Sequence, residues 1–413
     1  MVGSHIISNP FVYGQVLLPG RPFCPRPHLE QAVLRAANDN ARVVLLGDRR
    51  MGKSSLAEHT LGGGNRMLVP VDLRGLDSVE DFIDRLLLRL STKLDEHRLL
   101  TKHLPVALKE ALAFVSDLRL SVGGLVEIHA RGKVKASTVI QAMNAVERAS
   151  HWRPIVVFFD EFQEIVENLE DKAARHLLGV LRGEIQRQSR VGYLFAGSAK
   201  SSMLELFTAE SSHFYQSATM LEVGPIPRDD MSVFLSEQFA RGGRTLEADS
   251  LQAIFALAGD SPSDQQQFAY HLWTQSTPGN VGLAELRRAF AALMAEVSRR
   301  GEVILDAATP AQRRALFAIA LRENEQFARE AFLRFAGFTQ HSSLTSAVRP
   351  FLKGNSAILE KRGSKVRYRE RFMRLWVLLQ VTRNPSMFPS ARSAAPTDAE
   401  YSLLLPYLAD ALI

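Results

Sequence analysis

The sequence predicts an α/β fold whose core is a parallel sheet, followed by two smaller, mostly helical parts. Three observations predict it. First, the apolar run Val43–Leu46 breaks at Gly47 and is followed by Gly52, Lys53 and Ser54, the spacing G-x-x-x-x-G-K-S between a strand and a helix. Second, the run Ile155–Phe159 delivers two acids, Asp160 and Glu161, at its end. Third, strand and helix patterns alternate up to about residue 222, and helical periodicity dominates beyond it.

Each element has its own signal. Residues 9–30 form a leading segment before a short helical pattern over Leu29–Ala37. Its rings Phe11, Tyr13 and Phe23 either lie on a nucleotide base or pack beneath the sheet. The phosphate-type loop follows Val43–Leu46, and Ser55–Thr60 reads as the helix after it, ended by Gly62-Gly63-Gly64. Met67–Leu73 is the next strand, so strand, loop, helix, strand make one βαβ unit. Val79 to about His97 is helical, with Phe82, Ile83, Leu86, Leu87 and Leu90 on one face. A further helix covers about 106–114. Residues 118–129 alternate around Gly123-Gly124, the signal of a hairpin excursion over about 115–132. A helix over about Ala136–Ser150 leads back to Ile155–Phe159. Lys172–Arg190 is helical, and Val191–Gly197 reads as another buried strand ending at Ser198. Pro225 and Pro227 mark a boundary. Helices are then predicted over Arg228–Ala240, Ala248–Ala258, Gln265–Gln275 and Val281–Arg300, a small helical lid over 223–301. Helical patterns at Pro310–Arg322, Arg329–Phe335 and Leu344–Lys353 precede two short strands around Gly363-Ser364. Three helices plus a hairpin is a winged-helix pattern over 302–383, closed by a helix over Arg371–Val381. Residues 384–413 read as a linker and a short apolar tail that docks on the body or meets a partner.

The chemistry of the loop follows from its residue types. Over Gly47, Asp48, Arg49, Arg50, Met51, Gly52, Lys53, Ser54 and Ser55, glycines let the backbone curl so that successive N–H groups face phosphate oxygens. The next helix aims its positive end at the same place. Lys53 would reach the β- and γ-phosphates of ATP, and the Ser54 hydroxyl would ligate Mg²⁺. In parallel sheets ligands bind at the carboxyl ends of the strands. Asp160 is therefore placed to hold Mg²⁺ and Glu161 to polarise the attacking water. Ser198 either contacts the γ-phosphate or its water, or simply caps its strand.

Composition sets the frame. The chain of 413 residues is long enough for two or three domains, and its hydrophobic content of 46% is that of a globular protein. The net charge of +6 is compatible with an acidic partner such as nucleic acid. The single cysteine excludes an internal disulfide and a cysteine metal cluster, which fits a reducing compartment and a cytoplasmic location. No run reaches the length of a membrane helix, and the first residues lack a signal-peptide pattern.

The succession Asn9-Pro10-Phe11, Gly47–Ser54, Phe159–Gln163, Gly197-Ser198, Gly259-x-x-Pro262 and Arg374-Leu375-Trp376 resembles the archaeal-type ATPases, of the STAND branch of the AAA+ ATPases and related to Orc-type initiators. The resemblance covers about residues 9–383. It implies an AAA+-like P-loop NTPase core, a helical lid and a winged helix. It further implies ATP hydrolysis, with Lys53 and Ser54 on nucleotide and magnesium, Asp160 and Glu161 on magnesium and water, Ser198 in the sensor-one place, and Pro262 in the lid loop near the nucleotide. Two departures stand out. Many members carry an arginine after the sensor-one strand in a Tyr-Gly-Arg context, where this chain has Tyr215-Gln216-Ser217, leaving Arg187, Arg190 and Arg228 as substitutes. The lid loop also lacks an arginine. Without an arginine finger, worth about 10³–10⁵ in rate, the expectation is slow turnover and a nucleotide-controlled switch.

The hairpin region concentrates Lys361, Arg362, Lys365, Arg367, Arg369, Arg371 and Arg374. Alternate residues of a strand share a face, so Lys365, Arg367 and Arg369 point together. They either contact duplex DNA phosphates or form a charged face that docks on protein.

Overall fold

The computed structural model describes residues 8–96, 136–198, 200–323, 325–352 and 357–383. The helix expected over 106–114, the hairpin excursion at 115–132 and the tail at 384–413 lie outside the described residues. Two compact units divide the chain: residues 15–226 form the first, and residues 1–14 together with 227–413 form the second.

The first unit is a five-stranded sheet with helices on both faces. Its strands are β1 (Arg42–Leu46), β2 (Met67–Asp72), β3 (Ile155–Asp160), β4 (Val191–Gly197) and β5 (Thr219–Glu222). The order across the sheet is β2-β3-β4-β1-β5, and every pairing is parallel. Helices α1 (Pro27–Asn38) and α2 (Lys53–Leu61) cover one face. They bury Val43, Leu45, Val156, Phe158, Leu194 and Ala196. Helices α3 (Val79–Glu96), α4 (Ala136–Ser150) and α6 (Asp171–Arg187) cover the other. They bury the alternate residues Val44, Leu46, Val157, Phe159, Tyr193 and Phe195. Both faces are covered, so the strands read as unbroken apolar runs, and side chains of consecutive residues part to opposite cores. A short helix α5 (Glu164–Asn168) follows β3, and α7 (Lys200–Thr208) follows β4.

Two differences from the sequence reading concern short strands. Residues 219–222 are an edge strand of the sheet, whereas the sequence suggested only a boundary there. Four half-exposed residues, Thr-Met-Leu-Glu, carry too little periodicity to be read. The second unit likewise is not purely helical. Strands β6 (Arg244–Leu246) and β7 (Gly279–Val281) pair in parallel among α8 (Arg228–Arg241), α9 (Ala248–Ala258), α10 (Pro262–Thr274) and α11 (Leu283–Ala307).

In the second unit Phe11 is 1% exposed and packs on Phe239 and Trp273 at ring distances of 5.1 and 6.1 Å. Asn9 donates to the Tyr270 carbonyl and Tyr13 to Glu296. The ring of Phe11 is therefore core, the second of its two readings, but it packs within the second unit and not beneath the sheet. Phe23, in the first unit, stacks on His59. Helix α11 runs without a break through residues 301 and 302, where Gly301 lets the Trp376 ring lie against it. Helices α12 (Pro310–Leu321), α13 (Glu330–Phe335) and α14 (His341–Val348) then precede the antiparallel hairpin of β8 (Leu359–Arg362) and β9 (Lys365–Tyr368), and α15 (Arg371–Arg383) closes the unit. Among the described residues no helix is long and apolar enough to cross a membrane.

Candidate nucleotide site

The loop between β1 and α2 is shaped by close approach and by backbone angle. A Cβ at Gly47 would lie 2.3 Å from the Val223 carbonyl oxygen, so only glycine fits where the chain leaves the sheet. Arg50 and Gly52 take φ of 66° and 82°, and the helix starts directly at Lys53. The helix thus begins two residues earlier than its apolar periodicity suggests, because the left-handed Gly52 serves as its N-cap. Backbone N–H groups at such a start meet anions well.

Lys53 is 6% exposed. Its ammonium donates to the Gly47 and Asp48 carbonyls at 2.8 and 3.0 Å. Burial pulls its pKa down, while Glu161, Asp160 and Asp48 oppose that pull. Ser54 Oγ donates to Asp160 Oδ2 at 2.5 Å. Ser55 Oγ accepts from the Leu17 backbone N–H at 3.1 Å. Met51 packs against the α1–α2 side of the sheet core.

The acids stand two strands away, at the end of β3, with β4 between them and β1. Burial raises the Asp160 carboxyl above its usual range, the Ser54 hydrogen bond opposes this, and the neighbouring Glu161 adds to it. Glu161 has φ of 54°. A non-glycine residue in that region is strained, and here the turn is held by Phe162, whose N–H donates to the Ala196 carbonyl of β4 at 2.9 Å. Phe162 itself is anchored by the rings of Phe195 and Phe214 at 4.8 and 5.3 Å. The turn aims the Glu161 side chain at β4. There its Oε2 accepts from Ser198 Oγ at 2.7 Å, Ser198 N–H at 3.1 Å and Gln163 Nε2 at 2.7 Å. Burial alone would raise the Glu161 carboxyl, but these donors and Lys53 outweigh it and hold it below the usual range. Arg49, exposed on the loop, donates to Ser198 Oγ at 3.4 Å.

Tertiary structure therefore brings together Lys53, Ser54, Asp160, Glu161, Ser198 and Arg49. The donor set of one hydroxyl and one carboxylate, both hard oxygen ligands, fits Mg²⁺, which takes few protein ligands and keeps several waters. Pro262 belongs to the second unit, buried in the first turn of α10 behind the Ser261 cap.

Sequence reasoning missed two contributors. Gln163 was part of the recognised Asp-Glu-Phe-Gln run without a role; the structure uses it to hold the Glu161 carboxylate. Asp72 ends β2 in register with Asp160 and binds Arg74 through both carboxylate oxygens. The available signal was positional, since every strand of a parallel sheet ends at the ligand edge. Arg187 and Arg190 precede β4 and so lie at the opposite edge of the sheet, a strand length of roughly 20 Å from Ser198. Arg228 pairs with Asp260 in the second unit.

Within β9 the hairpin alternates, with Val366 and Tyr368 buried and Lys365 and Arg367 on the other face, while Arg369 follows the strand. Its guanidinium groups already have protein partners. Glu360, just before the basic cluster, accepts from Arg362 and Arg367 at 2.8 and 2.7 Å. Arg369 donates to the Leu359 and Leu352 carbonyls, and Arg371 to the Leu257 and Ala256 carbonyls at the end of α9. Arg374 is 2% exposed and pairs with Glu323.

The structure is similar to that of the Walker-type ATPase of Pyrococcus abyssi, with a TM-score of 0.60 and 16% identity over 88% of this chain and 98% of that one. This chain has the P-loop ATPase fold. Weaker likenesses to that fold include the Aeropyrum pernix ORC1 protein in complex with DNA, at a TM-score of 0.48 and 16% identity over 91% of this chain and 97% of the other. The Aeropyrum pernix ORC2 protein gives 0.49 and 12%, over 92% and 97%. No family model and no curated protein matches the chain.

Proposed function

We propose that this chain binds ATP with Mg²⁺ at the β1–α2 loop and hydrolyses it slowly, as a switch whose nucleotide state is passed to a C-terminal winged helix. What carries the reading is one contact across the site. The Ser54 hydroxyl at the start of α2 meets the half-buried Asp160 carboxylate at the end of β3, with the buried Lys53 alongside. A bound magnesium ion would neutralise charge on the phosphates, and Ser54 and Asp160 would hold it. Lys53 exchanges its two loop carbonyls for β- and γ-phosphate oxygens, and the loop N–H groups take the remainder of the charge. Glu161, kept ionised by Ser198 and Gln163, orients water so that its oxygen bonds to the γ-phosphorus. The bond from that phosphorus to the bridging oxygen breaks, its electron pair stays on ADP, and the water proton leaves through Glu161.

The expectation of slow turnover rests on the lack of an arginine in the Tyr215–Ser217 stretch. The switch reading draws on chain connectivity, because the polypeptide passes between the two units twice, at 14/15 and at 226/227. A duplex-DNA contact through Lys365, Arg367 and Arg369 has weaker support, since Arg367 and Arg369 meet Glu360 and backbone carbonyls.

Calorimetric titration with ATP and Mg²⁺ tests the proposal. The parent protein should bind, and Lys53→Ala should lose binding by about 100-fold or more, the loss of a charge-assisted pair of contacts in a closed site. Equal affinity in the two proteins would refute the assignment of the loop.

A further inference from the structure

An ATPase of this kind needs a cation where negative charge builds on the terminal phosphoryl group. The expected arginine after the sensor-one strand is missing, and Arg187 and Arg190 stand at the wrong edge of the sheet. Arg74 stands at the ligand edge, but Asp72 holds it through three contacts of 2.6 to 3.1 Å. Arg49 is placed differently. It occupies the second variable position of G-x-x-x-x-G-K-S, so its backbone lies on the curl that faces phosphate. Its side chain is exposed, and its Nε donates over a long 3.4 Å to Ser198 Oγ. That hydroxyl in turn donates to Glu161 Oε2 at 2.7 Å. The guanidinium therefore ends a chain of contacts that leads to the carboxylate assigned to the water. Its charge is also felt at Lys53, whose pKa is lowered first by burial and further by Arg49.

We propose that Arg49 is a catalytic arginine supplied in cis by the phosphate loop, whose guanidinium exchanges the Ser198 hydroxyl for oxygens of the terminal phosphoryl group. The inference rests on the ATPase reading above. The weak bond to Ser198 is cheap to release, and a planar fork of donors suits the three equatorial oxygens of the group in flight. Arg49 neither gains nor loses a proton in the step; it stabilises the charge that spreads over those oxygens while water adds and ADP leaves. Ser198 is a positioning residue, which lines up the guanidinium and the Glu161 carboxylate on one hydroxyl.

The test compares the parent with Arg49→Ala and Arg49→Lys. It measures ATP affinity, single-turnover phosphate release and affinity for ADP with aluminium fluoride, which mimics the phosphoryl group in transfer. Arg49→Ala should keep ATP affinity within about threefold and lower single-turnover release by about 10³-fold, the low end of what such arginines contribute. It should lose affinity for the aluminium fluoride complex by a similar factor. Arg49→Lys should recover only a minor part, because a point charge lacks the fork. An Arg49→Ala protein that releases phosphate and binds the aluminium fluoride complex like the parent overturns the inference and leaves the ATPase reading intact. A parent that binds neither ATP nor the aluminium fluoride complex overturns both.

Discussion

Replacing Glu161 by glutamine is the sharpest perturbation of this site. Three donors converge on one carboxylate oxygen: Ser198 Oγ, Ser198 N–H and Gln163 Nε2, at 2.7, 3.1 and 2.7 Å. A glutamine keeps an acceptor for all three, so the strained turn at Glu161 and its contacts persist. Losing the charge weakens each bond by about 1 kcal/mol, since hydrogen bonds to ions contribute about 1.5–3 and neutral ones about 0.5–1.5 kcal/mol. Removing a buried charge returns a desolvation cost of several kcal/mol, so the balance for folding is about zero within 2 kcal/mol. The effect on chemistry is not balanced in that way. General-base assistance contributes about 10²–10⁴ in rate, or roughly 3–5 kcal/mol of barrier. Glu161→Gln should therefore melt close to the parent and bind ATP with similar affinity, with phosphate release slower by two to four orders of magnitude. The pH profile adds a second readout. The donors hold the Glu161 carboxyl below its usual range. Its pKa is lower folded than unfolded, so its share of stability is present above the unfolded value and disappears as pH falls through the folded one. The parent's hydrolysis should fall first where the raised Asp160 carboxyl takes up a proton, and again below the ordinary carboxylate range where Glu161 does. The glutamine variant should keep the first limb and lack the second. Single-turnover release in Glu161→Gln equal to the parent, with both limbs retained, would refute the role given to this carboxylate.

Two further predictions concern the frame of the site and the hairpin. Gly47→Ala drives a Cβ to 2.3 Å from the Val223 carbonyl, whereas a Cβ at Gly63 meets nothing within 4 Å. Overpacking against backbone costs about 1–3 kcal/mol, so Gly47→Ala should lower the melting temperature by roughly 3–10 °C with Gly63→Ala within about 2 °C of the parent, and equal melting would contradict the packing argument. For the hairpin, affinity for a random duplex against salt should change slope by at most about one on replacing Lys365, and a joint change of about three on replacing Lys365, Arg367 and Arg369 would show that Glu360 and the carbonyls do not hold those arginines.

Local sequence determined the parts of this protein that depend on residue type and spacing. The G-x-x-x-x-G-K-S loop, the buried strand ending in Asp160-Glu161, and the long helices such as Ala248–Ala258 were legible because sterics, periodicity and capping act within a few residues. Strands as short as Thr219–Glu222 and Gly279–Val281 were not legible, because their stability comes from pairing with distant partners and leaves no periodic trace. Tertiary structure alone decided the sheet order, which sets β4 between the loop and the acids and so makes Ser198 the meeting point of Arg49 and Glu161. It also decided that Phe11 is core and that Glu360 and backbone carbonyls occupy the hairpin's arginines. The physical reason is common to all of these. A side chain's reach and type are written locally, but its electrostatic surroundings are composed of groups tens to hundreds of residues away, and only the folded chain sets the distances between them.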